Sequence, residues 1–275
     1  MQRKATGVLC LLGALSLLAG AVSAQSLATS ARQLPKGSLK LLTFYQGTQA
    51  QDLTFSVRGT GGCAAAPPSN ASFNCDQAGD VDAEGSGGMG VIKLVYQPWE
   101  SLQYYGSVGV GEYSLSVPSA TVRNRLTGDN PGVSVTFGAK AVIYPDTIVT
   151  PAIALDASIT NTNYTFNRIH PGGTPGRSNQ INQRLQLWQY QFAVESSHLF
   201  TIEEKWKLEP YGGVKWVRIE SDLLDRQTGS HAGGKTDVVT PFLGLRLPAW
   251  EHEAFFAEAS FVGGYQYAAG LELRF

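Results

Sequence analysis

The feature that most constrains this chain is a two-residue alternation of apolar and polar side chains that recurs along its length and runs into its last residue. Tyr265, Tyr267, Ala269, Leu271, Leu273 and Phe275 share one face of an extended strand, while Gln266, Ala268, Gly270, Glu272 and Arg274 share the other. The pattern repeats upstream. Ile92, Leu94 and Tyr96 oppose Lys93, Val95 and Gln97. Tyr104, Gly106, Val108 and Val110 oppose Tyr105, Ser107, Gly109 and Gly111. Comparable segments lie at 53–57, 133–141, 153–160, 188–195, 208–216, 243–247 and 255–261. A helix would need a 3.6-residue period, so these are strands.

The segments between strands alternate in length. Residues 99–101, 145–147, 201–205 and 249–253 are short joints, whereas 59–88, 117–132, 165–183 and 222–239 are long and rich in Gly, Asn, Ser and Pro. Short turns on one side and long loops on the other are the asymmetry of a transmembrane β-barrel. Charged residues are only 16% of the chain and aromatics reach 10%. Trp99, Tyr144, Trp206 and Trp250 lie beside short turns, and Tyr113, Tyr164, Trp188, Trp216 and Tyr265 lie nearer the long loops, as two interfacial girdles would require. The expected fold is all-β, a closed antiparallel up-and-down transmembrane barrel of about ten strands, with eight or twelve as alternatives. Its ends would meet by pairing of the last strand with the first near 52–58. Leu39 to Tyr45 is read as a lead-in or as the start of the first strand. Pro151 and Pro210 each remove a ladder donor and are expected at bulges. Gly263-Gly264 suits a tight hairpin.

The N-terminus reads as an export signal. Arg3 and Lys4 precede an apolar run from Gly7 to Ala21, and Val22-Ser23-Ala24 offers the small residues of a cleavage site. The expected division is a signal peptide over 1–24, a periplasmic lead-in over 25–51 and the barrel over 52–275. Cys10 lies too early in the run to serve as a lipidation site. The formal charge is −1, and losing Arg3 and Lys4 takes it to −3, which gives nucleic acid no electrostatic footing.

With these residues in view, the C-terminal strand through Tyr267, Leu271, Leu273 and Phe275 resembles the signal by which bacterial outer-membrane barrels are recognised. The layout resembles the opacity-protein-like class of small barrels. The resemblance implies outer-membrane residence, contact with outer-membrane lipids and lipopolysaccharide, and handling by periplasmic chaperones and the barrel-assembly machinery.

The inward faces are expected to carry Lys93, Lys140, Lys207, Lys215, Arg246 and Arg274 against Asp156, Glu195, Glu209, Glu258 and Glu272. That near-balance points to a packed lumen rather than a selective pore, whose lining would carry one sign. Arg246, Glu258, Glu272 and Arg274 on three consecutive strands are the expected centre of the network. A narrow porin-like diffusion channel is the alternative. Cys63 and Cys75 in the longest loop are expected to form a disulfide in an oxidising envelope.

No catalytic, cofactor or metal set stands out. Asp80, Asp82, Asp222, Asp225 and His231 superficially resemble the acids and histidine of barrel proteases, without that family's spacing. Ser196, Ser197 and His198 lie by a periplasmic turn with no evident orienting acid. His170, His198, His231 and His252 are too scattered for a metal site. The expected role is in envelope integrity or surface interaction through the loops.

Because Phe275 ends the terminal strand, its deletion should lower the yield of folded barrel and raise periplasmic degradation. Wild-type yield with unchanged heat-modifiable gel migration would remove Phe275 from the assembly signal.

Overall fold

The computed structural model describes residues 28–57, 79–118, 123–173, 178–203, 206–227, 229–261 and 263–275. Cys63 and Cys75 lie outside them, as do the export signal and its cleavage site. The strands are β1 (Leu39–Val57), β2 (Gly79–Trp99), β3 (Leu102–Pro118), β4 (Arg123–Thr127), β5 (Gly132–Tyr144) and β6 (Ala152–His170). They continue with β7 (Asn179–Ser197), β8 (Phe200–Glu203), β9 (Trp206–Asp225), β10 (His231–Pro248), β11 (Glu253–Ser260) and β12 (Tyr265–Arg274). All pairings are antiparallel.

The pairings form a closed ring. β4 and β5 both fill the slot between β3 and β6, and so act as one interrupted stave. Among the described residues β8 pairs with β9 alone, as a short hairpin at the end of the barrel where the chain termini of β1 and β12 meet. Counting these so, twelve strands make ten staves. The ring closes where β12 pairs with β1 from Lys40↔Arg274 to Gln49↔Tyr265. The seam therefore lies at 40–49 rather than near 52–58. Leu39 to Tyr45 is the start of the first strand, and the barrel begins before residue 52. A single strand holds both regions because a bulge between Thr48 and Gln51 absorbs one register slip, with Ala50 at a φ of 48°. Pro151 immediately precedes β6, while Pro210 sits inside β9 opposite Leu245 without a register shift.

Among the described residues no helix is long and apolar enough to cross a membrane. The strands cross instead. On the lower staves the apolar face points outward, as the alternation requires: Ile92, Val108, Phe137, Phe192, Leu243 and Phe255 are exposed. The inward face between them is mixed: Lys93, Ser107, Thr136 and Gln191 are buried there beside Val91, Phe242 and Phe256. In hydrocarbon this arrangement leaves no main-chain group unpaired and no charge facing lipid.

Among the described residues, the long segments expected as loops are mostly strand, and there the polarity is inverted. Ascending β6, the outward face changes from Ile153, Leu155 and Ile159 to Asn161, Asn163 and Thr165. Its inward face changes from Asp156, Thr160 and Thr162 to Tyr164 and Phe166. β7 and β9 invert at matching points, with Trp188 giving way to Gln186 and Trp216 to Arg218. Tyr113 and Tyr164, expected in a girdle, instead face inward and stack at 4.6 Å. Trp188 and Trp216 do lie outward at the inversion level. The inversion marks where lipid ends and water begins.

Above that level the ring also narrows. β11 and β12 meet in a tight hairpin at Gly263 (φ 70°) and Gly264 (φ 114°). Over its tip β1 pairs directly with β10 at Ser56↔Gly233, and the Thr54 amide donates to Thr236 Oγ1 at 3.2 Å. Ten staves thus become eight. An eight-stave interior is narrow enough for side chains to fill. Leu53, Phe55, Leu115, Leu126, Phe166, Leu185 and Val217 fill it, each at 1% exposure or less.

Phe166→Ala should therefore destabilise the barrel by about 3–5 kcal/mol, as for any buried aromatic. Phe137→Ala, on the lipid face, should change the unfolding midpoint far less. Equal effects in denaturant titrations would contradict the dry upper core.

Candidate functional site: the filled lumen

The inward positions of the lower staves gather ten buried charges among the described residues. Five are cations, Lys40, Lys93, Lys140, Lys215 and Arg246; five are anions, Asp156, Glu195, Glu209, Glu258 and Glu272. Arg274 stands at the lower edge of the barrel, partly exposed. Lys207, expected inward, is exposed near the β8–β9 hairpin. Lys40 takes its place, and the sequence alternation could have found it had the first strand been started at Leu39.

Register divides these charges into groups. Glu272 is the hub of the group nearest the Lys40↔Arg274 end of the seam. Arg246 donates to it from Nε at 3.0 Å and Nη2 at 2.7 Å, Lys40 approaches to 3.2 Å and Arg274 to 2.8 Å. Arg246 also reaches Glu209 at 2.7 Å. A second group centres on Lys140, which pairs with Glu195 and lies 4.0 Å from Asp156. Tyr105 donates to Asp156 at 2.6 Å, and the Lys93 ammonium sits 3.7 Å from the Tyr105 ring centroid. In the third, Lys215 lies 3.8 Å from Glu258, which also accepts from Tyr211 at 3.3 Å. Of the four expected network residues, Arg246, Glu272 and Arg274 come together, while Glu258 belongs to a separate group.

Residues 28–34 lie inside the barrel rather than forming a free lead-in. Ala28, Thr29, Ser30, Ala31 and Leu34 are buried. Ala28 N donates to Glu258 at 2.8 Å, and Leu34 N donates to Gln97 Oε1 at 2.7 Å. Lys140 donates to the Thr29 hydroxyl at 2.6 Å and to the carbonyls of Thr29 and Ser30 at 3.3 and 3.2 Å. Gln103 donates to the Arg32 carbonyl at 3.3 Å. No periodicity in this short polar stretch announced its position.

The lumen is thus occupied at two levels: the N-terminal segment threaded among the charge groups below, and the apolar core above. A cavity of about 30 Å³ lined by Gln46, Gln51, Thr160 and Gln189 lies beneath the Tyr113–Tyr164 stack. Another of about 10 Å³ lies beside Lys93 and Tyr105. Each has the scale of isolated water sites rather than a passage.

The expected terminal-strand residues Tyr267, Leu271 and Phe275 point outward and are exposed, with Leu273 on the same face but less so. The acids and histidines that superficially resemble a protease site do not converge on the mouth. Asp80 and Asp82 face outward from β2 and accept from Ser56 and Thr54. Asp222 and His231 form an exposed pair at 3.5 Å on β9 and β10. His198 does have an orienting acid: its Nδ1 lies 2.8 Å from Asp146 Oδ1. That contact, with Leu199 N donating to Asp146 at 3.4 Å, ties two periplasmic turns together. It was hidden in the sequence because the partners are fifty-two positions apart.

No family model matches the chain, and a search of curated proteins finds no match. Among solved structures, the chain is similar to the translocator domain of the autotransporter NalP from Neisseria meningitidis. Identity is 12%, coverage 88% of this chain and 90% of that one, and TM-score 0.45. The outer membrane protease OmpT from Escherichia coli shows 8% identity over 88% and 98% of the two chains, at TM-score 0.44. Ail of Yersinia pestis, solved with a heparin analogue, shows 8% identity over 87% and 99%, at TM-score 0.35. At such distances they carry no functional argument, and the barrel assignment rests on the chain's own ring of hydrogen bonds.

Glu272 holds three cations, so Glu272→Ala leaves Arg246, Lys40 and Arg274 short of their shared acceptor. Breaking a buried pair is worth about 3–5 kcal/mol, less where water enters. The unfolding temperature should fall further for Glu272→Ala than for the surface change Asp222→Ala. Equal shifts would mean that the lower lumen is hydrated.

Proposed function

We propose that the protein is an integral outer-membrane β-barrel with a sealed lumen, working in envelope integrity or surface interaction through its extracellular end. The observation that carries this is the filling of the interior, by the N-terminal segment and its charged lining below and by the apolar core above. Export by a cleaved leader and disulfide closure of the Cys63–Cys75 loop belong to the same proposal. The exposed apolar band would sit in outer-membrane lipid and lipopolysaccharide. The outward face of β12 would be what chaperones and the barrel-assembly machinery read.

The upper barrel supports a presenting role. Its outward charges are largely matched in pairs: Arg123 with Glu84 at 2.6 Å, Arg168 with Asp129 at 2.9 Å and Lys235 with Glu220 at 2.8 Å. Such a surface is soluble without a strong field of either sign. The upper barrel is a paired, apolar-filled extension of the barrel beyond the lipid band. We assign it no catalytic step, since the acids and histidines described above face solvent or tie turns.

Refolded protein in planar bilayers tests the seal. No steady conductance is expected. Reproducible conductance, shifted toward anions by Glu258→Ala with little loss of stability, would replace the sealed barrel with a narrow diffusion channel.

A further inference from the structure

We infer that the periplasmic half of the lumen is a peptide-binding site, occupied here by the displaceable segment Ala28–Leu34, that accepts an untethered, extended peptide with small residues at the positions held by Ala28 and Ala31. This rests on the sealed-barrel proposal, since it concerns what seals the lower end.

The site is built for main chain. Four wall side chains, Glu258, Lys140, Gln103 and Gln97 from β11, β5, β3 and β2, engage five main-chain atoms: Ala28 N, Thr29 O, Ser30 O, Arg32 O and Leu34 N. Three side chains are read as well: the Thr29 hydroxyl accepts from Lys140 at 2.6 Å, Ser30 hydrogen-bonds Glu209, and Arg32 Nε lies 3.8 Å from Asp146. Other demands concern size. Ala31 is fully buried against Val142, Ala152 and Ala154, where a larger group has no room. Ala28 packs in the cluster that includes Phe44, Tyr105 and Phe256. Main-chain contacts supply affinity and alternate side-chain pockets supply selectivity, as in other modes that capture extended peptides.

The occupant can leave as a unit. It joins the barrel wall through one exposed turn, Pro35 to Ser38, in which Ser38 N donates to the Pro35 carbonyl at 3.1 Å and Gly37 holds a φ of 81°. Withdrawal breaks no strand pairing, because β1 begins at Leu39. Water entering from the periplasmic side would hydrate Lys140 and Glu258 in its place, which avoids the penalty of a dry unpaired charge. The same short turn prevents exchange between barrels, since it cannot carry the segment into a neighbour's lumen. A replacement must therefore be an untethered peptide arriving from the periplasm. The bound segment competes at millimolar effective concentration, so a replacement must match it or be abundant.

The test uses the full chain carrying Gln103→Cys, with labelling of position 103 by a hydrophilic maleimide followed by site-resolved mass analysis. In the otherwise unaltered chain, position 103 should be protected. Adding Ala31→Asp should expel the segment and speed labelling at least about ten-fold, because an unpaired charge cannot stay in that apolar pocket. A synthetic peptide of residues 28–37 at about 1 mM should restore protection, and the same peptide bearing Ala31→Asp should not. Equal labelling with and without Ala31→Asp, or no protection by the unaltered peptide, would overturn the site. If neither Ala31→Asp nor a deletion of 28–34 yields a heat-modifiable barrel, the segment is an obligatory part of the fold and is not displaceable. Bilayer conductance is read separately. A conducting Ala31→Asp barrel would show the upper core leaking and sink the sealed-barrel proposal, while leaving the peptide result to stand.

Discussion

Everything in this barrel depends on closure of the hydrogen-bonded ring. A main-chain amide or carbonyl facing hydrocarbon without a partner is unfavourable by several kcal/mol, and a free sheet edge would present a row of them. The seam between β1 and β12 removes that edge over ten consecutive residue pairs. It is fastened at its lower end by reciprocal bonds, Leu39 N to the Phe275 carbonyl at 3.3 Å and Phe275 N to the Leu39 carbonyl at 2.9 Å. Register at the seam then decides which side chains enter the lumen. On β1 the even positions Lys40, Leu42, Phe44 and Gln46 face inward up to the bulge at Thr48–Gln51. Past it, the odd positions Gln51, Leu53 and Phe55 do. Without the bulge, Asp52 and Thr54 would point into the upper core, and Leu53 and Phe55 would point into water. One irregular residue thus reconciles two halves of a strand that face opposite requirements.

Those requirements differ because the staves cross from one solvent into another. Within lipid the exterior must be apolar, and the interior is free to be polar. Above lipid the exterior must be wet, so stability has to come from a buried apolar interior. The change from ten staves to eight falls where the second regime begins. A narrower ring lets Phe55, Leu115, Phe166 and Leu185 meet across it, as they do in one continuous cluster. The hairpin at Gly263-Gly264 is short because β11 and β12 are needed only below that level. Cross-strand glycines help the walls approach their aromatic neighbours: the ring of Tyr113 lies over Gly85, that of Tyr105 over Gly138 and that of Tyr211 over Gly244. Any side chain at those glycines would strike the ring.

This division explains what could be read from the sequence. The membrane portions of the strands, their outward faces, the hairpin at Gly263-Gly264 and the stave number were legible, because lipid imposes a strict two-residue pattern. The upper strands were not. Tyr164, Phe166 and Ile169 alternate with Asn, Thr and Arg, and composition alone resembles a polar loop. The grouping of lumen charges was also out of reach. Chain order puts Arg246, Glu258, Glu272 and Arg274 on neighbouring strands, but only the register Phe256↔Gly270 and Glu258↔Ala268 sets Glu258 two pleats away from Glu272. The segment at 28–34 was hardest, since an extended peptide held by its main chain needs no pattern in its side chains.

The polar lower lumen and that segment explain one another. An extended peptide cannot be buried against apolar walls, because each unpaired main-chain group would be destabilising by about 1–3 kcal/mol. Conversely, ten charges around an empty axis would hold water and leave a path. Here wall side chains do both tasks at once. Lys140 is neutralised by Glu195 and still donates to two carbonyls and a hydroxyl of the segment, and Glu258 approaches Lys215 while accepting Ala28 N. The upper half needs no such insert, because its narrower ring is filled by apolar side chains alone. Lys140 and Glu258 thus line a buried main chain, and the equal numbers of buried cations and anions keep the lower lumen close to neutral overall.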